Sequence, residues 1–143
     1  MVDVTALGAV GTAFRLEVER GKIREFARAT FWPVPEQDLP TAPPTFLTTA
    51  FHWQTGESDP WDQVRMDPAR GLHAEQEFVF HGPPPRAGDA LFGTSRITAV
   101  YEKTGRRGGT LTFVVMVTEF RDQAGALVAE STMTAVETSQ APT

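Results

Sequence analysis

Cysteine is absent from this 143-residue chain, which removes disulfides, thiolate nucleophiles and cysteine-ligated zinc from consideration. Long hydrophobic runs are absent as well. No window approaches the roughly 18 consecutive apolar residues of a membrane span, and the N-terminus lacks the charged-then-apolar layout of a signal peptide. Together these predict a cytoplasmic protein with no membrane span. Positive charge is in short supply, with thirteen basic against eighteen acidic side chains and a formal net charge of -5. That balance argues against a general attraction to nucleic acid, while leaving room for a local basic patch that meets an anionic cofactor. Only three histidines occur, His52, His73 and His81. No pair of them has helical metal-ligand spacing, so no metal site is predicted.

What is present is enough for one packed domain, since 41% of the residues are hydrophobic in a chain of single-domain length. Phe14, Leu16 and Val18 alternate with Arg15, Glu17 and Glu19, the period-two pattern of a strand with one wet face. After Gly21 the period changes. Ile23, Phe26, Ala27 and Thr30 fall at helical spacing, with Lys22, Arg24, Glu25 and Arg28 opposite, which predicts a short amphipathic helix ending near Thr30. The prolines at 33, 35, 40, 43 and 44 then make Phe31 to Pro44 an irregular loop. Thr45 to Gln54 (TFLTTAFHWQ) carries apolar side chains all round and predicts a buried helix. Gly56 to Arg70 reads as a surface excursion.

From His73 onward the sequence has strand character. Phe78 and Phe80 mark a second strand, Leu91 to Tyr101 a third, Thr110 to Arg121 a fourth and Leu127 to Val136 a fifth. The segments KTGRRGG (Lys103 to Gly109) and RDQAG (Arg121 to Gly125) supply the glycines that hairpin loops need. The expected fold class is α+β: a mostly antiparallel sheet covered by one buried helix. The last residues, from about Thr138, read as a tail.

Several segments in order (APPTFL before the buried helix, HAEQEFVFH, PPRAGD, then VYEKTGRRGGTLTFVV) resemble the MaoC-like dehydratase family. The match is closest to its N-terminal-type members, the fatty-acid-synthase-I-like dehydratase subunits. The resemblance runs from about residue 8 to residue 137 and implies a single hot-dog domain, an antiparallel sheet wrapped around one central helix, here Thr45 to Gln54. It implies acyl groups thioesterified to coenzyme A or acyl carrier protein as substrates, with no further cofactor, and addition or removal of water at a 2-enoyl or (R)-3-hydroxyacyl group. Family members usually work as dimers.

Catalytically complete relatives carry a GD-x-N-P-x-H type loop before the central helix, whose Asp and His hold the water that is added or lost. The matching segment here is FWPVPEQDLPT, Phe31 to Thr41, which has no histidine and keeps only Glu36 and Asp38 as ionisable groups. Hydration next to a thioester needs a side chain that takes and returns a proton near neutral pH. The resemblance therefore implies a subunit that binds the acyl thioester and pairs with a catalytic MaoC-like partner. The alternative is a self-sufficient homodimer, an altered dehydratase, thioesterase or acyl-ligand-binding protein, in which His52, Asp38 or His73 takes over.

His52, on the predicted central helix, reads either as a catalytic or substrate-orienting group or as a hydrogen-bonded histidine of a packed helix. His73 opens the HAEQ stretch and reads as a substrate-positioning or a structural residue, while Gln76 shares the parity of Phe78 and Phe80 and so points inward, where it needs a partner. His81, on the other parity, reads as a surface residue. Phe46, Phe51 and Trp53 are candidates to line an acyl tunnel, or are simply core. Arg86, Arg106 and Arg107 are candidates for carrier phosphates, or are solvated loop charges.

Overall fold

A computed structural model describes residues 1–33, 41–106 and 108–139. Asp38 and Glu36 of the shortened loop, and Arg107, lie outside the described residues. Five strands, β1 (Phe14–Glu17), β2 (Gly71–Phe80), β3 (Ala90–Thr104), β4 (Thr110–Arg121) and β5 (Leu127–Thr138), form one sheet in the order β1-β3-β4-β5-β2. Every neighbouring pair is antiparallel. The sheet curls over a helical segment at Phe46–His52, the hot-dog arrangement that the sequence predicts.

Alternation decides which side chains face inward. Phe14 and Leu16 of β1, Leu91 and Ile97 of β3, Val114 and Phe120 of β4 and Ala129 of β5 are all buried. Ahead of Gly8, Val2 and Ala6 are buried too and join a second apolar cluster with Val64, Ile97 and Val114. The curl needs a close approach at Gly93, opposite Phe14 in the ladder, because a Cβ there would collide with the Phe14 ring. Interruptions of register between His73 and Glu75, Ile97 and Ala99, and Phe120 and Arg121 strengthen the bend.

Helix α1 (Arg20–Ala29) follows the predicted pattern, burying Ile23 and Ala27. The central segment departs from it. Phe46–His52 is wound as a 3₁₀ helix, with the Thr48 N–H donating to the Thr45 carbonyl and the Trp53 N–H to the Ala50 carbonyl. Local competition explains the tighter winding. The Thr48 and Thr49 hydroxyls donate to the carbonyls of Thr45 and Phe46, at 2.7 and 2.8 Å, which occupies acceptors that an α-helix would use one residue further on. The segment is also one-sided rather than buried all round: Phe46, Leu47 and Ala50 are buried, whereas Phe51 and His52 are exposed. Phe46 anchors it by an edge-to-face contact with Phe26 of α1.

The proline-rich turn fixes where this segment begins. The Ala42 N–H donates to the Pro85 carbonyl at 2.8 Å, and Thr41 bridges to Arg86. On its other side the turn is tied to β1, because the Gly88 N–H donates to the Val18 carbonyl and the Val18 N–H to the Asp89 carbonyl. Gly88, at a φ of 99°, adopts the left-handed backbone that glycine accommodates without strain. No helix among the described residues is long and apolar enough to cross a membrane.

Candidate functional site

Between the Phe46–His52 segment and the inner face of β4, β5 and β2 runs a groove of about 410 Å³, within the size range of small-molecule sites. Leu47, Ala50 and Phe51 form one wall, with Met116, Phe120 and Met133 on the sheet opposite. Its polar groups are Thr48, Gln54, His73, Gln76, Thr118 and Ser131.

Two hydrogen-bonded sets fix those polar groups. The Gln76 amide donates to the Ser131 hydroxyl at 2.8 Å and to the Thr132 carbonyl at 3.1 Å, which supplies the partner that an inward Gln76 requires. Ser131 thereby acts as acceptor and keeps its own proton to donate. On the far side, Ser95 and Thr118 share a hydrogen bond of 2.8 Å, and the Gln54 amide donates to the Ser95 hydroxyl at 3.2 Å. Ser95 is fully buried. These contacts clamp the chain just after the 3₁₀ segment onto the sheet.

Among the described residues, His73 is the one ionisable side chain in the lining. Its ring makes no hydrogen bond among the described residues, which leaves both nitrogens available to a ligand. The interruption of the β2 ladder between His73 and Glu75 brings it to this face: His73 lies opposite Ala135 and Gln76 opposite Met133, two inward positions of β5. The aspartates held below the ordinary carboxylate range lie elsewhere. Asp67 owes its shift to hydrogen bonds from Arg70 and the Ala69 N–H, and Asp3 to those from Thr5.

The structure separates the other sequence candidates. Phe51 lines the groove, but Phe46 is fully buried beneath it, and Trp53 is half-buried against the same core. His52 is exposed, its ring 4.0 Å from that of Phe51, and it lines no part of the groove. His81 is exposed and hydrogen-bonded to Glu130 at 2.7 Å. Arg86 precedes β3 and Arg106 follows it, so fifteen residues of strand, roughly 45 Å, keep the two from one phosphate within a single chain. No cluster of three metal-ligating side chains occurs among the described residues.

Sequence reasoning did not single out Gln54, Met116, Thr118, Ser131 or Met133. Their inward parity was available for the strand residues. Nothing in the sequence indicated which inward positions would be left open by a short 3₁₀ segment.

Residues 5–131 match the family described as the FAS1-like, dehydratase domain region. A UPF0336 protein of Parafrankia sp. is 33% identical over 138 residues, covering 88% of this chain and 87% of its own length. The chain spans 66% of the length of a UPF0336 relative from Streptomyces avermitilis. Among solved structures, the C-terminally truncated HadBC (3R-hydroxyacyl-ACP dehydratase) complex of Mycobacterium tuberculosis superposes with a TM-score of 0.70 at 29% identity, over 94% of this chain and 97% of that one. A MaoC-like dehydratase superposes at 0.74 with 25% identity, over 92% of this chain and 42% of that one.

Proposed function

The chain belongs to the FAS1-like dehydratase domain region family, among the MaoC-like hot-dog dehydratases, and from that premise we propose that it is the acyl-thioester-binding subunit of an (R)-specific enoyl hydratase or 3-hydroxyacyl dehydratase. In this reading a second, catalytic MaoC-like subunit supplies the Asp and His of the GD-x-N-P-x-H loop. One observation carries it: the apolar groove contains hydrogen-bonding groups suited to a thioester, yet among the described residues only one side chain able to exchange protons, His73.

Hydration places hydroxide on C3 and a proton on C2 of the enoyl group, so one group must take a proton from water and another return one to carbon. The Ser131 hydroxyl and a His73 N–H are donors able to hold the thioester carbonyl, whose oxygen gains negative charge as hydroxide adds to C3 and gives it up as C2 accepts its proton. Leu47, Phe51 and Met133 surround the acyl carbons. Water activation is then left to the partner. The HadBC relative is itself a complex, which supports reading this chain as one half of a pair.

The test is hydration of a 2-enoyl-CoA by the purified chain, by a MaoC-like subunit with an intact GD-x-N-P-x-H loop, and by the two together. Activity from the mixture alone is expected; full activity from this chain alone overturns the proposal. The His73 ring, which makes no hydrogen bond among the described residues, favours one second reading, a self-sufficient enzyme such as a thioesterase. Hydrolysis of acyl-CoA by the lone chain that disappears in His73→Gln would establish it.

A further inference from the structure

Thr118 of β4 and Ser131 of β5 are ladder partners, and both line the groove. Residues directly opposed in an antiparallel pair hold their Cβ atoms about 4.5–5.5 Å apart, which places these two side chains next to each other on the inner face. Among the described residues no hydrogen bond joins the two hydroxyls. Each is served by a glutamine amide instead, Ser131 directly and Thr118 through Ser95.

Backbone carbonyls settle which way these amides point. A carbonyl only accepts, so the amide atom 3.1 Å from the Thr132 carbonyl and 2.8 Å from the Ser131 hydroxyl is the Gln76 nitrogen. Gln54 is fixed in the same manner, by the Ser58 carbonyl at 3.4 Å, and donates to the Ser95 hydroxyl at 3.2 Å. Ser95 has no exposed surface, and among the described residues the one acceptor for its own proton is the Thr118 oxygen, 2.8 Å away. Were Thr118 the donor, the Ser95 proton would be buried with nothing to receive it, an arrangement that folded proteins avoid. Ser95 therefore donates to Thr118. The Thr118 proton, like that of Ser131, is left to donate into the groove, and the run of donors from Gln54 through Ser95 strengthens it.

We propose that Thr118 and Ser131 form a two-donor clamp for one carbonyl oxygen of the acyl thioester, with Gln54, Ser95 and Gln76 as the positioning residues that orient it. This rests on the acyl-thioester reading of the groove. Two O–H donors that share one acceptor at about 2.7 Å lie no more than roughly 5.4 Å apart, a span that the ladder spacing meets. Preorganised donors of this kind hold an oxygen more firmly as it gains negative charge. The thioester carbonyl and a ketone further along an acyl chain both offer such an oxygen, and ligands that carry one or the other tell them apart.

Calorimetric titration of the purified chain compares butanoyl-CoA with S-butyl-CoA, which lacks the thioester oxygen, and S-(5-oxohexyl)-CoA with S-hexyl-CoA, which differ only in a chain ketone. The oxygen-bearing member of the responding pair should bind more tightly. Thr118→Val or Ser131→Ala should lower its affinity about tenfold, the worth of one hydrogen bond, and leave the oxygen-free member unaffected. Thr118→Ser, which keeps the hydroxyl, should bind like the parent chain. Because Thr118→Val strands the buried Ser95 proton, Ser95→Ala combined with Thr118→Val takes its place if the single variant does not fold. The infrared band of a carbon-13-labelled ligand carbonyl reads the contact directly, and it should lie at lower frequency in the parent complex than in the Thr118→Val complex. The pair that responds identifies the source of the oxygen. Oxygen-bearing ligands whose affinity and carbonyl band are indifferent to the folded substitutions overturn the clamp while leaving the thioester groove standing. Absence of binding by every CoA derivative overturns the groove reading and the clamp with it.

Discussion

His73 and Gln76 face the same side of β2 although three positions separate them, a spacing that strict alternation would send to opposite faces. Ala74 is the extra residue that reconciles them: His73 lies opposite Ala135, Glu75 opposite Thr134 and Gln76 opposite Met133, with Ala74 skipped in the ladder. A bulge on an edge strand re-aims a side chain at small cost. Here it turns His73 toward the hydrogen-bonded pair of Gln76 and Ser131.

Deleting Ala74 should therefore restore regular alternation and turn His73 to the outer face, while Gln76, Phe78 and Phe80 keep their positions. The expected loss of stability is modest, on the order of 1 kcal/mol. Acyl-CoA affinity should fall by about tenfold, the worth of one good hydrogen bond to a ligand. Calorimetric titration with butanoyl-CoA checks this, and affinity equal to that of the parent chain would remove His73 from the site.

The contact of Ser95 with Thr118 makes a second prediction, about stability. Ser95 is fully buried and serves both the Thr118 hydroxyl and the Gln54 amide. Ser95→Ala leaves two polar groups short of a partner, which should cost about 1–3 kcal/mol in urea unfolding. The double substitution Ser95→Ala with Thr118→Val removes one of the two stranded groups, the Thr118 hydroxyl, and should recover part of the loss. If it instead adds the two single costs, the pair is not coupled.

The sheet was legible in the sequence because its signals are local. Alternation in Phe14 to Val18 and Leu111 to Val117, and glycines at 108, 109 and 125 with φ near +80°, locate strands and hairpins without tertiary information. The inward orientation of Gln76 followed from the same periodicity. That of His73 did not, because a bulge leaves no composition mark and one extra residue inverts every parity argument made across it. The central segment was read as a helix buried all round because Phe51, His52 and Trp53 look alike in a pattern of apolar letters. Burial there depends on how much of the segment the sheet can cover, and a 3₁₀ winding leaves Phe51 outside the core, facing the groove. The proline turn was legible as a turn. Its tethering of Ala42 and Val18 was not, since those hydrogen bonds join residues distant in sequence.

Phe31 is a place where stability should be gained. It ends α1 at a φ of 53° with 92% of its surface exposed, and the Trp32 N–H donating to the Ala27 carbonyl with the Phe31 N–H donating to the Arg28 carbonyl completes a helix stop of the kind that glycine usually makes. A left-handed conformation costs a residue with a side chain roughly 1–2 kcal/mol. Phe31→Gly should accordingly raise stability by about 1 kcal/mol, part of the relief being offset by the greater freedom of glycine in the unfolded chain. Urea unfolding decides, and a fall in stability would mean that the exposed ring makes contacts worth more than the strain.

Asp67 sets a pH dependence. Its carboxylate accepts from the Arg70 guanidinium and the Ala69 N–H, both at 2.9 Å, and Arg70 also bonds the buried Glu137 at the end of β5. Those hydrogen bonds hold the Asp67 carboxyl below the ordinary aspartate range. A depressed folded-state pKa means that the unfolded chain takes up the proton first as pH falls. The contribution is therefore complete above the ordinary aspartate pKa and disappears as pH drops through the lower folded value. Asp67→Asn should be less stable than the parent chain at pH 7, with the gap closing at strongly acid pH. Urea unfolding across that range checks the sign. A gap that stays constant with pH would show that the loss comes from the geometry of the Arg70 contact and not from its charge.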